Sequence, residues 1–176
     1  EPAGVLADSY TVSEDGKVYT IKLRQGVKFH NGQEMTADDV VASMSRWLEL
    51  SGKAKALLEG TVFEKADDYT ITMTLPEAYA DAMTVVAASI QFPAVYPKSV
   101  IDSAGTEGIT EYIGTGPYKL DEWKQDQYIH LVKYEDYAQP AGVSSGFTGE
   151  KLAATPDIYF RVVTDDSTRV AGVQTG

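Results

Sequence analysis

The sequence predicts an α+β fold, a mixed or antiparallel sheet with flanking helices. Three observations carry that expectation. Two segments alternate strictly between apolar and polar residues, as half-buried strands do. One stretch has both a capping signal and an apolar stripe at helical spacing. Strands and helices then follow one another without the regular rhythm of βαβ units, which argues against a doubly wound sheet.

The elements follow in order. No element is assigned before the turn signal Asp15-Gly16. Residues 18–24 alternate, with Tyr19, Ile21 and Leu23 on one face, and predict a strand. Residues 26–29 continue extended to a second turn at Asn31-Gly32. Thr36, with Asp39 three residues on, reads as an N-cap and capping box. The helix it opens runs to about Leu50, with Val40, Val41, Met44, Trp47 and Leu48 in one stripe. Ser51-Gly52 stops it, and residues 53–59 predict a short second helix.

Residues 61–65 read as extended and Asp67-Asp68 as a turn. Tyr69, Ile71, Met73 and Leu75 then face a core while Thr70, Thr72 and Thr74 face away, until Pro76 ends the strand. Residues 78–88 predict an apolar helix. Pro93 and Pro97 frame an irregular stretch, and Pro97 starts a short helix over 98–103. The glycine-punctuated turn Gly114-Thr115-Gly116-Pro117 leads into a hairpin, with arms at 118–123 and 128–134 and a bend at Gln125-Asp126. Residues 136–155, rich in Gly, Ser, Ala and Pro, read as a long surface loop. A strand over 157–163 and a helix capped by Asp165-Asp166-Ser167-Thr168 complete the chain.

Composition narrows the function classes. The 176 residues suit one domain, and eleven Tyr, five Phe and two Trp supply too much apolar material for a disordered chain. With 15 basic and 26 acidic residues the net charge is −11, which argues against a nucleic-acid partner, because the phosphate backbone repels such a surface. No apolar run is long enough to read as a membrane span, and no export leader or lipidation motif is read. Cysteine is absent, which removes disulfides, thiolate metal sites and a cysteine nucleophile.

Few constellations point to catalysis. Acidic pairs recur at Glu14-Asp15, Asp38-Asp39, Asp67-Asp68, Asp121-Glu122, Glu135-Asp136 and Asp165-Asp166. A carboxylate-based hydrolase needs two acids converging on one substrate with one pKa raised. Nearly every one of these pairs sits at a turn or a helix start, where Asp and Glu have structural work. His30 and His130, the two histidines, lie far apart, and no metal-ligand spacing, P-loop or nucleophile elbow accompanies them. Gly114-Thr115-Gly116 lacks the third glycine of a dinucleotide fingerprint, since Lys119 stands in its place. No catalytic residue, metal or cofactor is therefore assigned. Trp47 at helical spacing reads as core. Gln91, Phe92 and Tyr96, in the Pro-framed stretch, have fewer structural reasons for their positions and fit a cleft wall as well as a core.

Three stretches together resemble a known family. Residues 15–46, DGKVYTIKLRQGVKFHNGQEMTADDVVASMSR, resemble the signature region of the family 5 extracellular solute-binding proteins, the dipeptide-, oligopeptide- and nickel-binding components of ABC importers. Asp15, Gly16, Leu23, Arg24, Gly26, Val27, Phe29, His30, Gly32, Thr36, Ala37, Asp39, Val40, Ser43 and Arg46 fit its pattern. Residues 114–137 look like the family's Gly-Thr-Gly-Pro-Tyr hairpin, and 158–176 like the strand and helix that follow.

The resemblance implies a two-lobed protein that closes on a ligand. This chain would supply part of the first lobe, with residues 10–156 forming its smaller α/β subdomain and 157–176 returning to the neighbouring subdomain. It would begin after any export and anchoring segment, in a parent that is extracellular or periplasmic and able to carry a lipid anchor. The implied ligand is a peptide or another small polar solute, and the implied partner an ABC permease. A nickel-chelate or oligosaccharide binder is the alternative within the family, and a hydrolase or an adhesion module the alternatives outside it. The signature residues themselves, His30 and Gly114 to Pro117 among them, read as scaffold. Ser89, Gln91 and Phe92 are the expected cleft-lining residues, with Trp47 behind them.

Overall fold

A computed structural model describes residues 2–105 and 108–175. Glu1 and Gly176, the ends of the span expected above, lie outside the described residues. The elements run β1 (Ala7–Val12), β2 (Val18–Leu23), α1 (Ala37–Leu50), α2 (Gly52–Leu58), β3 (Val62–Asp67) and β4 (Thr70–Thr74). They continue with α3 (Ala82–Val86), α4 (Lys98–Ala104), β5 (Tyr118–Lys124), β6 (Tyr128–Lys133), β7 (Asp157–Arg161) and α5 (Asp166–Thr175). The strands form two antiparallel sheets, ordered β1-β2-β4-β3 and β5-β6-β7. The α+β expectation is borne out.

The first sheet carries the core. Register pairs Tyr19 with Met73 and Ile21 with Ile71, and β3 adds Phe63 opposite Met73, so one face is continuously apolar. Helix α1 lies over that face, burying Val40, Met44 and Trp47, while Val41 and Leu48 stay at the half-buried margin. Ser51 ends α1 and also opens α2, its Oγ accepting from the Ala54 amide at 3.2 Å.

Three differences from the sequence reading have local causes. Strand β1 was not expected, because it is an edge strand with only Tyr10 half-buried at its centre, so it shows no apolar alternation. Its partner β2 supplies the ladder, and Tyr10 leans on Tyr19 at 6.3 Å between ring centroids. The helix expected over 78–88 is only the five residues of α3. The Tyr79 carbonyl accepts from the Tyr19 hydroxyl at 3.2 Å and the Ala82 amide at 3.1 Å, which holds the preceding residues in a turn. Strand β7 ends at Arg161 rather than 163 because Arg161 pairs with Tyr128, the first residue of β6. Beyond it the Val162 amide reaches only the Gln127 carbonyl of the hairpin bend.

The second sheet joins the first through two motifs far apart in sequence. The His30 amide donates to the Gly114 carbonyl at 2.9 Å. The His30 ring closes the join: Nδ1 accepts from the Gly114 amide at 3.2 Å, and Nε2 lies 3.0 Å from the Gly116 carbonyl. An amide donating to Nδ1 and a carbonyl at Nε2 together specify the neutral ring protonated on Nε2. Burial accordingly pushes the His30 pKa down. The Tyr134 ring meets His30 edge-on at 5.1 Å, and its hydroxyl donates to the Phe29 carbonyl at 2.7 Å. Gly32 (φ 85°) makes this turn possible, since the turn requires a left-handed conformation there that a Cβ would resist.

His130 shows the opposite electrostatics. Its Nδ1 lies 2.8 Å from Asp121 and its Nε2 2.9 Å from Asp157, so one ring ties β5, β6 and β7 together, stacked on Tyr159 at 4.1 Å. Carboxylates can only accept, so this arrangement favours the imidazolium, in which both ring nitrogens donate. The Asp157 hydrogen bond, then that of Asp121, raises its pKa. A raised folded-state pKa adds stability that is fully present below the unfolded value, about 6.5, and is lost as pH rises through the folded value. Comparing denaturation midpoints of wild type and His130→Gln across the neutral range should therefore show a wild-type advantage on the acid side that shrinks toward alkaline pH. A constant difference would mean that the ring is not charged in the fold.

Candidate functional site

Helix α1 presents four polar positions at four-residue spacing: Asp39, Ser43, Trp47 and Ser51. Asp39 and Ser43 are 2% exposed, and Trp47 and Ser51 each 8%. Residues this buried need partners, and all four find them on one irregular segment, residues 91–98. The Asp39 carboxylate accepts from the Lys98 amide at 2.8 Å. The Ser43 hydroxyl lies 3.0 Å from the Tyr96 amide and 3.2 Å from its carbonyl, accepting from one and donating to the other. The Trp47 indole N–H donates to the Gln91 carbonyl at 2.6 Å, and the Ser51 hydroxyl to Gln91 Oε1 at 2.9 Å. The segment therefore runs antiparallel to α1, fastened at successive turns.

The end of that segment is the candidate site. Gln91 adopts φ 56°, one of two non-glycine residues with positive φ among those described. On either side of it Ile90 and Phe92 are 75% and 53% exposed. Phe92 meets Phe147, from the long loop, at 5.8 Å between ring centroids. Beside them an open depression of about 490 Å³ is lined by Lys53, Thr84, Ala88, Ser89 and Ile90, among others. Exposed apolar side chains on backbone held this firmly are what a binding surface requires.

The four predicted residues thus gather in one place, with different roles. Ser89 lines the depression. Phe92 points outward against Phe147, and Trp47 lies beneath with its indole N–H engaged. Gln91 directs its carbonyl and its side-chain oxygen inward to α1 and α2. Lys53, Thr84 and Ile90 were missed, and Ser51 was read only as a helix stop. The serine's position between two helical stretches was the available signal for its capping role.

Most of the acidic pairs resolve into turn and cap chemistry, but Asp121-Glu122 lies inside β5, with Asp121 on the His130 ring and Glu122 accepting from the Tyr128 hydroxyl. The hydroxyl of Ser13 holds the Asp15 pKa down, the Tyr69 hydroxyl that of Glu34, the Tyr69 amide that of Asp67, and the Ser167 hydroxyl that of Asp165. Asp121 and Asp157 bind opposite nitrogens of the His130 ring and so do not converge on a common point. Among the described residues no group of three or more His, Cys, Asp or Glu could hold a metal ion, and no helix is long and apolar enough to cross a membrane.

Two antiparallel sheets with flanking helices, arranged as here, define a module of the periplasmic-binding-protein fold. The oligopeptide-binding protein AppA of Bacillus subtilis, solved with a nonapeptide, superposes with a TM-score of 0.72 at 31% identity, over 97% of this chain and 33% of AppA. NikA from Brucella suis, solved with Fe(III)-EDTA, gives 0.74 at 27% identity, over 97% of this chain and 33% of NikA.

The chain belongs to the bacterial extracellular solute-binding proteins, family 5: the family model described as "Bacterial extracellular solute-binding proteins, family 5 Middle" matches residues 1–176. The glutathione-binding protein GsiB of Escherichia coli (strain K12) is 33% identical over 178 residues, covering 98% of this chain and 32% of GsiB. The chain spans about one third of the length of these relatives.

Proposed function

We propose that this chain is part of the first lobe of a two-lobed solute-binding protein that captures peptides outside the membrane and delivers them to an ABC permease. Residues 10–156 form the smaller α/β subdomain of that lobe, and 157–176 return toward its neighbour. The parent is exported, to the periplasm or the cell surface, where a lipid anchor would keep it beside the permease. Ser89, Gln91 and Phe92 belong to the cleft wall, with Trp47 as its support.

One observation carries this reading beyond family membership. The segment that ends in exposed Ile90 and Phe92 is fastened to a buried helix at Gln91, Tyr96 and Lys98. A surface of apolar side chains on rigid backbone suits ligands of varied side chain, which peptides are. Binding by closure of two lobes needs no bond to be made or broken. The carboxylates held below their ordinary values run counter to a hydrolase, which needs one pushed the other way. A metal chelate is the second reading, favoured by the likeness to NikA, which was solved with Fe(III)-EDTA.

Native mass spectrometry of the complete protein, purified gently from its source, tests the proposal. The expected result is a series of co-purified peptide masses that exchange when glutathione, tetrapeptides and nonapeptides are added. A protein that ignores all of these but takes up a nickel chelate or a sugar would keep the transport role and overturn the ligand.

A further inference from the structure

We propose that Gln91 is a positioning residue: it clamps the loop that presents Ser89, Ile90 and Phe92, and so presets the shape of the surface a ligand meets. This rests on the reading of that loop as cleft wall.

The geometry is specific to this residue. Gln91 accepts three hydrogen bonds from two elements: its carbonyl takes the Trp47 indole N–H at 2.6 Å, and its Oε1 takes the Ser51 hydroxyl at 2.9 Å and the Lys53 amide at 3.3 Å. The backbone pays for this with a left-handed conformation, φ 56°, that a residue with a side chain rarely adopts. A non-glycine residue keeps that conformation only when its surroundings over-determine it, and the donors from Trp47, Ser51 and Lys53 do so here.

The left-handed residue reverses the chain locally. Both neighbours, Ile90 and Phe92, are left exposed, while the oxygens of Gln91 turn toward the helices. The donors are themselves fixed. Trp47 is in the core, and Ser51 Oγ also caps α2 through the Ala54 amide. Lys53, whose amide completes the clamp, also lines the depression with Ser89 and Ile90. Movement of Gln91 would therefore alter the loop and the depression together. A binding surface fixed before the ligand arrives avoids an ordering cost at the moment of binding.

The test uses the complete protein with Gln91→Leu, which removes the side-chain acceptor at similar size, and Gln91→Glu, which keeps it. Exchange in the free protein is read by NMR at the Trp47 indole N–H, which donates to the backbone carbonyl of Gln91 that neither substitution removes, with the amides of β2 and β4 as an internal reference. The expected result is indole exchange faster by about 10-fold or more in the Leu variant, near wild type in the Glu variant, and unchanged exchange in the reference strands in both. Affinity for the peptide that wild type holds, from a mixture of glutathione, tetrapeptides and nonapeptides, should weaken about 10-fold in the Leu variant and return in the Glu variant. A merely structural role would lower the melting temperature and speed exchange throughout, without rescue by Glu.

Indole exchange like wild type in the Leu variant overturns the proposal, as does undiminished peptide affinity in that variant. If wild type binds no peptide but the Leu variant speeds exchange at the Trp47 indole and not in the reference strands, the peptide reading falls and the clamp stands.

Discussion

Replacing Asp39 with alanine should lower the unfolding free energy by about 3 kcal/mol, from orphaned donors that each cost roughly 1–3 kcal/mol. Asp39 is 2% exposed and serves three donors. One oxygen accepts from the Thr36 amide at 2.8 Å and the Thr36 hydroxyl at 3.0 Å, and the other from the Lys98 amide at 2.8 Å. The first bond is the carboxylate half of the capping box at the start of α1, and the third docks α4. Alanine would strand the Thr36 and Lys98 amides where water cannot easily replace the carboxylate. An asparagine would keep one good acceptor, so Asp39→Asn should cost about half as much. Denaturant titration of wild type and both variants checks this, and a loss below about 1 kcal/mol for the alanine variant would mean that water reaches the cap.

Phe29→Ala should be the more damaging change, by about 3–5 kcal/mol, the range for deleting a buried aromatic ring. Phe29 is fully buried, although it lies in a connection rather than in a strand or helix. Its backbone is as occupied as its ring: the amide donates to the Gln33 carbonyl, and the carbonyl accepts from the Gly32 amide and the Tyr134 hydroxyl. A cavity there would open in the core that Phe29 shares with the first sheet and α1. The expected signature is a melting temperature lower by roughly 10 °C, with Phe29→Leu recovering part of the loss. A decrease of only a degree or two would show that the ring packs loosely.

Where burial and periodicity coincide, the structure was legible in the residues. Tyr19, Ile21 and Leu23, or Tyr69, Ile71, Met73 and Leu75, place their strands because a half-buried strand must alternate. The Thr36–Asp39 cap was legible for a local reason as well. Strand β1 was not, because an edge strand takes its order from its neighbour. Nor was the shortness of α3, which depends on the hydroxyl of Tyr19, sixty residues away in sequence.

The candidate site follows the same division. Phe92 stood out because an aromatic residue beside a proline-framed stretch has few core roles open to it. The clamp at Gln91 was invisible in sequence, since its donors come from Trp47, Ser51 and Lys53. Ser43 and Asp39 interrupt the apolar stripe of α1, and buried polar residues there were the one hint that something besides the sheet lies against that helix.

The polar stripe of α1 has a consequence for how related sequences can vary in length. The twelve steps from Asp39 to Ser51 measure about 18 Å at helical rise. The seven steps from Gln91 to Lys98 can reach about 24 Å when fully extended. The segment therefore has chain to spare between its fastened points, so a residue gained between Gln91 and Tyr96 can be absorbed as a bulge and one lost by a straighter path. The helix has no such freedom, because one inserted residue turns every later position by about 100° and would carry Trp47 and Ser51 away from the loop. Insertions and deletions in homologous chains should accumulate on the loop side of this pairing and be absent from the helix side.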